Sequence, residues 1–380
     1  MKNVAKIIPC YAADTSGVCS ALYELGGLTV VHDASGCNST YSTHDEPRWY
    51  DRKSDICISA LTEIDAVMGN DEKLISDTVS AAHDRNPAFI AVCGSPMPMM
   101  TGVDFDAVAF EIEQRSGIKT IPLHTNGTRS YVEGASEAFL AIVKEYVREC
   151  PKAPAGVAVL GATPLDLPLG TEADIRQWLR ENGFEAVSCL AMGSSLAEIK
   201  RTASANVSLV VSYSGFAAAE YLYEAFGIPY VCGVPIGGFG DWLADALREA
   251  ARSGQPNLCP FVRGDRPFND VIIGESVMAL SLAAALFLDR GVNATIISPL
   301  PTDGRMLGDG DSDVYAEEDI EERLAAFLPE RVWADPLYRY ILPRQTALVS
   351  IPHFAFSGRC FDKQMKSPVA WDYIKELMNS

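Results

Sequence analysis

"PAFIAVCGSPMPMMTGVDFDAVAFEIEQRSGIKTIPLHT", residues 87–125, is the stretch whose reading decides the fold. PAFIAVCG is a short apolar run stopped by a glycine, as expected of a strand buried on both faces. FDAVAFEIEQRSG spaces its apolar residues three and four apart and closes on glycine, as expected of a helix with its stop signal. KTIPLHT returns to a strand. Strand, helix, strand predicts parallel sheet covered by helices.

The same rhythm runs outward. Beyond ECPKAPAG (149–156), GVAVLGA, TEADIRQWLRENG, FEAVSCL, VSLVVSYS, AAAEYLYEAFG and IPYVCGV alternate strand and helix. Beyond SGQPNLCPFVRGDRPFND (253–270), a stretch of turn formers, DVIIGES, VMALSLAAALFLDRG, NATIISP, AEEDIEERLAAFL, RVWADP and TALVSIP repeat it, and VAWDYIKELMNS reads as a closing helix. The expectation is an α/β chain of three Rossmann-like domains with parallel sheets flanked by helices, divided as 1–150, 151–265 and 266–380. Ligands of such folds sit between domains, at the carboxyl ends of strands.

The 380 residues carry 31 Lys and Arg against 50 Asp and Glu, a net charge of −19. That balance repels phosphate backbones, so no nucleic-acid partner is expected, while a protein with a basic docking face is permitted. No apolar run reaches bilayer length, and MKNVAKIIPCYAAD lacks the apolar region of a signal peptide. A cytoplasmic chain without a membrane partner is expected. The glycines of GVPIGGFG (233–240) fit neither dinucleotide nor P-loop spacing, and GxxxxGK[ST] is absent, so no nucleotide is expected to bind this chain.

Ten cysteines in a reducing compartment are not expected to form a disulfide framework. Three stand at expected strand tips. Cys10 closes an apolar run where the chain turns out of a strand, Cys37 follows Gly36 in LTVVHDASGC where a helix would begin, and Cys93 closes FIAVC. A thiol at a helix start has a lowered pKa, which favours the thiolate that metals bind. Two readings stay open on spacing alone: packing residues, or ligands converging on one centre, since the interval between Cys10 and Cys37 matches no short ferredoxin pattern. Cys19, within SGVCSALYELG, has the spacing of a packed helix face, and the remaining cysteines read the same way. No CxxC or HxxxH pair points to zinc.

The order of motifs resembles the nitrogenase component 1 superfamily, which includes the molybdenum-iron protein subunits, their cofactor-assembly scaffold, the dark protochlorophyllide and chlorophyllide reductases and the reductase of coenzyme F430 synthesis. Members carry a cysteine, a glycine-containing helix start and an HGPxGC-like motif; here stand Cys10, Gly17 and HDASGC, ending in Gly36 and Cys37. LTEIDAVMGNDEKL (61–74) is similar to the family's ELDVVFGGEEKL, and GSPMPMMTGVDFDAV (94–108) to STCxxxxIGDDIxAV. SLAEIKRTASANVSLVVSYSGFAAAEYLYEAFGIPYVCGVPIG (195–237) carries the likeness on more weakly.

The resemblance implies an oxidoreductase component that holds an iron-sulfur cluster, 4Fe-4S or a larger P-cluster-like one, at a subunit interface. Cys10 and Cys37 occupy ligand positions beside Gly36, and soft thiolates suit such a centre. The implied assembly is a homodimer or a pair with a homologous second subunit. A separate ATP-dependent iron-sulfur reductase, similar to the nitrogenase iron protein, would feed electrons through the cluster to a small-molecule substrate. Two departures stand out. Pro96 falls where the third cysteine belongs, so either Cys93 substitutes through a shifted loop or two cysteines per chain suffice. Ser212, in LVVSYSG, stands where the catalytic nitrogenase subunit anchors its molybdenum cofactor by cysteine. A hydroxyl is a poor ligand for soft iron, so dinitrogen reduction is not expected.

His32, before the Gly-Cys turn, reads as a group that tunes the cluster or as a turn cap. THDEPRWYDR (43–52) offers His44 and Arg48 as catalytic candidates, or is an ordinary solvated loop. His124, at a strand tip with Arg129 nearby, is a third catalytic candidate, and His353 in IPHFAF reads as a core or capping residue. Two rival functions remain: a metal-cofactor assembly scaffold, and a redox-silent ligand-binding module of the same fold.

Overall fold

Three all-parallel sheets follow one another along the chain in the computed structural model, which describes residues 6, 7, 9–34, 40, 41, 43–258, 264, 268–370 and 372–379. The first joins β1 (Leu28–His32), β2 (Asp55–Ile58), β3 (Ile90–Gly94) and β4 (Thr120–Leu123) in the order β2-β1-β3-β4. Its helices are α1 (Asp14–Leu22), α2 (Glu63–Met68), α3 (Asp71–Arg85), α4 (Pro96–Thr101), α5 (Phe105–Ser116) and α6 (Tyr131–Tyr146). β1 and β3 are buried along their whole length, as the apolar runs predict. α5 starts where the Asp104 carboxylate accepts from the Ala107 amide at 3.0 Å, and it stops at Gly117, whose φ of 71° suits glycine.

The second sheet has the order β6-β5-β7-β8, from β5 (Gly156–Leu160), β6 (Glu185–Cys189), β7 (Val207–Val210) and β8 (Tyr230–Cys232), with α7 (Thr171–Glu181), α8 (Leu196–Lys200), α9 (Phe216–Phe226) and α10 (Phe239–Ser253) around it. The third has the order β11-β10-β9-β12-β13, from β9 (Phe268–Ile273), β10 (Asn293–Ser298), β11 (Ser312–Asp313), β12 (Arg331–Ala334) and β13 (Ala347–Ser350). α11 (Ser276–Arg290), α12 (Glu317–Phe327), α13 (Phe354–Ser357) and α14 (Tyr373–Asn379) accompany it. Among the described residues no helix is long and apolar enough to cross a membrane.

Each sheet reverses its winding once, between β1 and β3, β5 and β7, and β9 and β12, which opens a crevice at those carboxyl ends. One contact fixes where the first crevice lies. α1 and α6 touch backbone to backbone: a β-carbon on Gly17 would stand 2.0 Å from the Tyr131 carbonyl oxygen, and one on Gly134 would stand 1.9 Å from that of Asp14. The glycines therefore bring the start of α6 against the residues that precede α1. The GVPIGGFG turn is closed by the protein itself, since the Gly238 amide donates to the Asp289 carboxylate at 3.0 Å.

Candidate functional site

Residues 9–13 thread between the start of α6 and α13. The Tyr11 amide donates to the Ala355 carbonyl at 3.2 Å, the Tyr131 amide to Ala12 at 3.0 Å, and Ala13 bridges Ser130. The strand expected before Cys10 falls largely on residues 1–5 and 8, which lie outside the described residues. The half-buried Cys10 packs against an apolar cluster that contains Tyr131, Leu165, Tyr338 and Phe356. Burial pushes its thiol up to about 12, and Asp166 adds to the effect. A bare Cys10 thus stays protonated at neutral pH; a thiolate there needs a bound cation.

Around Cys10, groups from all three sheets form a polar knot. The Tyr131 hydroxyl donates to Asp166, which follows β5, and Thr163 donates to the same carboxylate at 2.9 Å. Glu275, after β9, caps α11 by accepting from Val277 and Met278, and it accepts from the Tyr213 amide beyond β7 at 2.9 Å. Burial, and then the Asp166 charge, push the Glu275 carboxyl up to about 7. Asp335, after β12, accepts from the His353 amide at 2.8 Å and the Ser357 hydroxyl at 2.7 Å. The His353 ring stacks on Phe356 with Nε2 3.7 Å from Asp166. Among the described residues neither His353 ring nitrogen has a hydrogen-bond partner, nor does the buried Tyr338 hydroxyl. Within this knot Glu275 is the carboxyl that can carry a proton near neutral pH.

Asp166, Glu275, Asp335 and the two tyrosines escaped sequence reasoning. The available signal was an acid in the turn that follows an apolar strand, in GATPLD, IIGES and VWADP. His353 does stand at the cap position of α13, but its ring faces the knot's carboxylate.

The other candidates scatter. Cys37 and Gly36 lie outside the described residues. Cys93 is fully buried in β3, within an apolar core that runs through all three sheets, and Cys19 lies in that core on α1. Burial pushes the Cys93 thiol up to about 12. His32 closes β1 with Nδ1 2.7 Å from the Ser59 hydroxyl, and burial lowers its pKa to about 4, so it is neutral at neutral pH. His44 lines a cavity of about 530 Å³ with Tyr11, Phe356 and Arg359. His124 is exposed between Asp106 at 3.0 Å and Glu137 at 3.2 Å, and these bonds raise its pKa, with Asp106 contributing most. Among the described residues no three His, Cys, Asp or Glu side chains gather to hold a metal ion.

Arg48 is 1% exposed, which corrects the reading of THDEPRWYDR as a solvated loop. Its guanidinium donates to Glu46 at 2.7 Å, to Glu24 at 3.0 Å and to the carbonyls of Ala191 at 2.9 Å and Ser20 at 2.7 Å. From the other side Arg359 donates to the carbonyls of Thr43, His44 and Glu46 at 2.9–3.1 Å. The polar run is thus pinned from the second and third sheets. By contrast, α2 and α4, at the carboxyl end of the first sheet, expose Ile64, Val67, Met68, Met97, Met99 and Met100. Glu63, Asp65, Asp71, Glu72, Asp104 and Asp106 stand on and beside those helices, against Lys73 and the Glu72-paired Arg115.

Residues 18–252 match the family model "Nitrogenase component 1 type Oxidoreductase". The chain is 26% identical over 177 residues to the nitrogenase iron-molybdenum cofactor biosynthesis protein NifE of Clostridium pasteurianum, a match covering 45% of this chain and 38% of that protein. It is 25% identical over 185 residues to the nitrogenase molybdenum-iron protein alpha chain of Methanosarcina barkeri, covering 45% and 33%. The aligned part therefore spans 38% of the first relative and 33% of the second. The solved structure "Nitrogenase Cp1 at pH 6.5" superposes with a TM-score of 0.72 at 15% identity, over 100% of this chain and 93% of that one, so the fold is shared. With a family match across more than half its length and three sheets in the corresponding arrangement, the chain belongs to the nitrogenase component 1 type oxidoreductases.

Proposed function

We propose that this chain is a nitrogenase-like redox component whose Cys10 and Cys37 hold an iron-sulfur cluster shared with a second, homologous or identical chain. The observation that carries the reading is the position of Cys10, a soft donor at the meeting point of three sheet ends. Two thiolates from each of two chains, Cys10 and Cys37, would suffice for a 4Fe-4S centre shared between them. When bound, the cluster supplies one-electron transfer. The residues of the chain orient Cys10 through the Tyr11 and Tyr131 amides, keep His32 neutral, and place Glu275, whose carboxyl is pushed up to about 7, beside the cleft where a small molecule is reduced.

The ATP-dependent iron-sulfur reductase docks on the α2–α4 face. Its occupant is not a second copy of this chain, because a two-fold pairing would press two acidic rims together. A partner with an apolar centre and a basic rim fits. A cofactor-assembly scaffold is the second reading, favoured by the relative named as a cofactor biosynthesis protein.

Anaerobic purification with iron analysis and electron paramagnetic resonance tests the cluster. Cys10→Ala and Cys37→Ala are expected to lose the iron, and Cys19→Ala to keep it; a colourless, iron-free wild type leaves only a redox-silent module. Turnover with a reductase and ATP then separates enzyme from scaffold.

A further inference from the structure

Four methionine side chains form most of the α2–α4 face. Met68, Met97, Met99 and Met100 are 76%, 40%, 58% and 84% exposed, and Met378 is the one other methionine among the exposed large apolar side chains described. Met192 and Met306 are buried. α4 is six residues long, carries Pro96 and Pro98, and turns three thioethers outward. Leucine would give the same apolar area with a better-defined shape; methionine adds flexibility and a chemistry that leucine lacks. A thioether can be switched reversibly from apolar to polar by gaining one oxygen atom.

We propose that this face is a site of reversible methionine oxidation that releases the docked partner. The oxidant is a hydroperoxide. Its O–O bond breaks as a sulfur lone pair forms the S–O bond; the sulfur gives up two electrons, and the second peroxide oxygen leaves with a proton as water or alcohol. Each sulfoxide places a polar oxygen in the apolar centre, where docking would bury it without a donor. Methionine sulfoxide reductases return the thioether. The proposal rests on the docking reading, and neither needs a loaded cluster for its test.

The metal-free protein is treated with hydrogen peroxide, mapped by peptide mass spectrometry, and assayed for binding to a nitrogenase iron protein held with a nonhydrolysable ATP analogue. Met68, Met97, Met99 and Met100 are expected to oxidise before Met192 and Met306, and oxidation to weaken binding at least about tenfold, with recovery after sulfoxide reductase treatment. In a variant carrying leucine at all four positions, the ratio of treated to untreated affinity is expected to stay near one, whatever its starting value. Equal affinity of oxidised and untreated wild type overturns the switch, and so does a leucine variant that loses binding on treatment as the wild type does. No binding by the untreated wild type defeats the docking reading, and the switch with it.

Discussion

Residues 43–52 and the α2–α4 face invert each other. The first is a run of charged and aromatic residues that ends with Asp45, Glu46 and Arg48 buried. The second presents isoleucine, valine and methionine to solvent. Hydropathy misreads both for one reason: burial is decided by what the rest of the molecule, or another molecule, brings to the surface. The polar run is met by Ser16, which donates to Asp45, by the carbonyls of Ser20 and Ala191, which accept from Arg48, and by Arg359, which ties its backbone, while Glu46 accepts from Arg48 within the run. Among the described residues nothing covers the apolar face.

The contrast can be broken at its inner side. Arg48→Ala leaves the buried Glu46 carboxylate without its cation, while Glu24 keeps Arg52, and is expected to cost about 3–5 kcal/mol in urea unfolding. A small loss would mean that water replaces the guanidinium, and that the run is less enclosed than its contacts imply.

The polar knot offers a second lever, through pH. Glu275 titrates near 7 in the folded chain against an ordinary 4.5, so the folded state keeps its proton longer. Its contribution to stability is present in full below about pH 4.5 and is lost as pH rises to about 7, by roughly 3 kcal/mol at most. Asp166→Asn removes the neighbouring charge and should flatten that slope, as read from unfolding curves across this range. An unchanged slope would place the titration elsewhere.

The smallest effect on folding is expected at the outer side. Val67→Ser with Met100→Ser should change unfolding stability by no more than about 0.5 kcal/mol, since both side chains are exposed. Reductase binding should nonetheless fall. Strong destabilisation would show that the face is part of the fold and not a surface awaiting a partner.

Much of the fold was legible because local pattern and final burial agree. β3, α5 and β4 appear where apolar runs, the Asp104 cap and Gly117 put them, and Cys19 packs as its helical spacing implied. The site was less legible because its parts are close in space and remote in sequence. Asp166, Glu275 and Asp335 each follow a different strand, and no local window contains two of them. Cys10 was singled out by its motif, whereas its neighbours could be found only once three sheet ends were brought together.

One feature of the opening segment bears on how the protein is made. The Ile7 amide is held by the Glu317 carboxylate, 310 positions further along, and Tyr11 by Ala355. Ribosomes deliver a chain from its amino end, so the first turns of this polypeptide leave the exit tunnel long before their anchors exist. Docking of the segment that carries Cys10 must therefore wait until Glu317 and Ala355 have been made, and products truncated before them should leave that segment without its anchors.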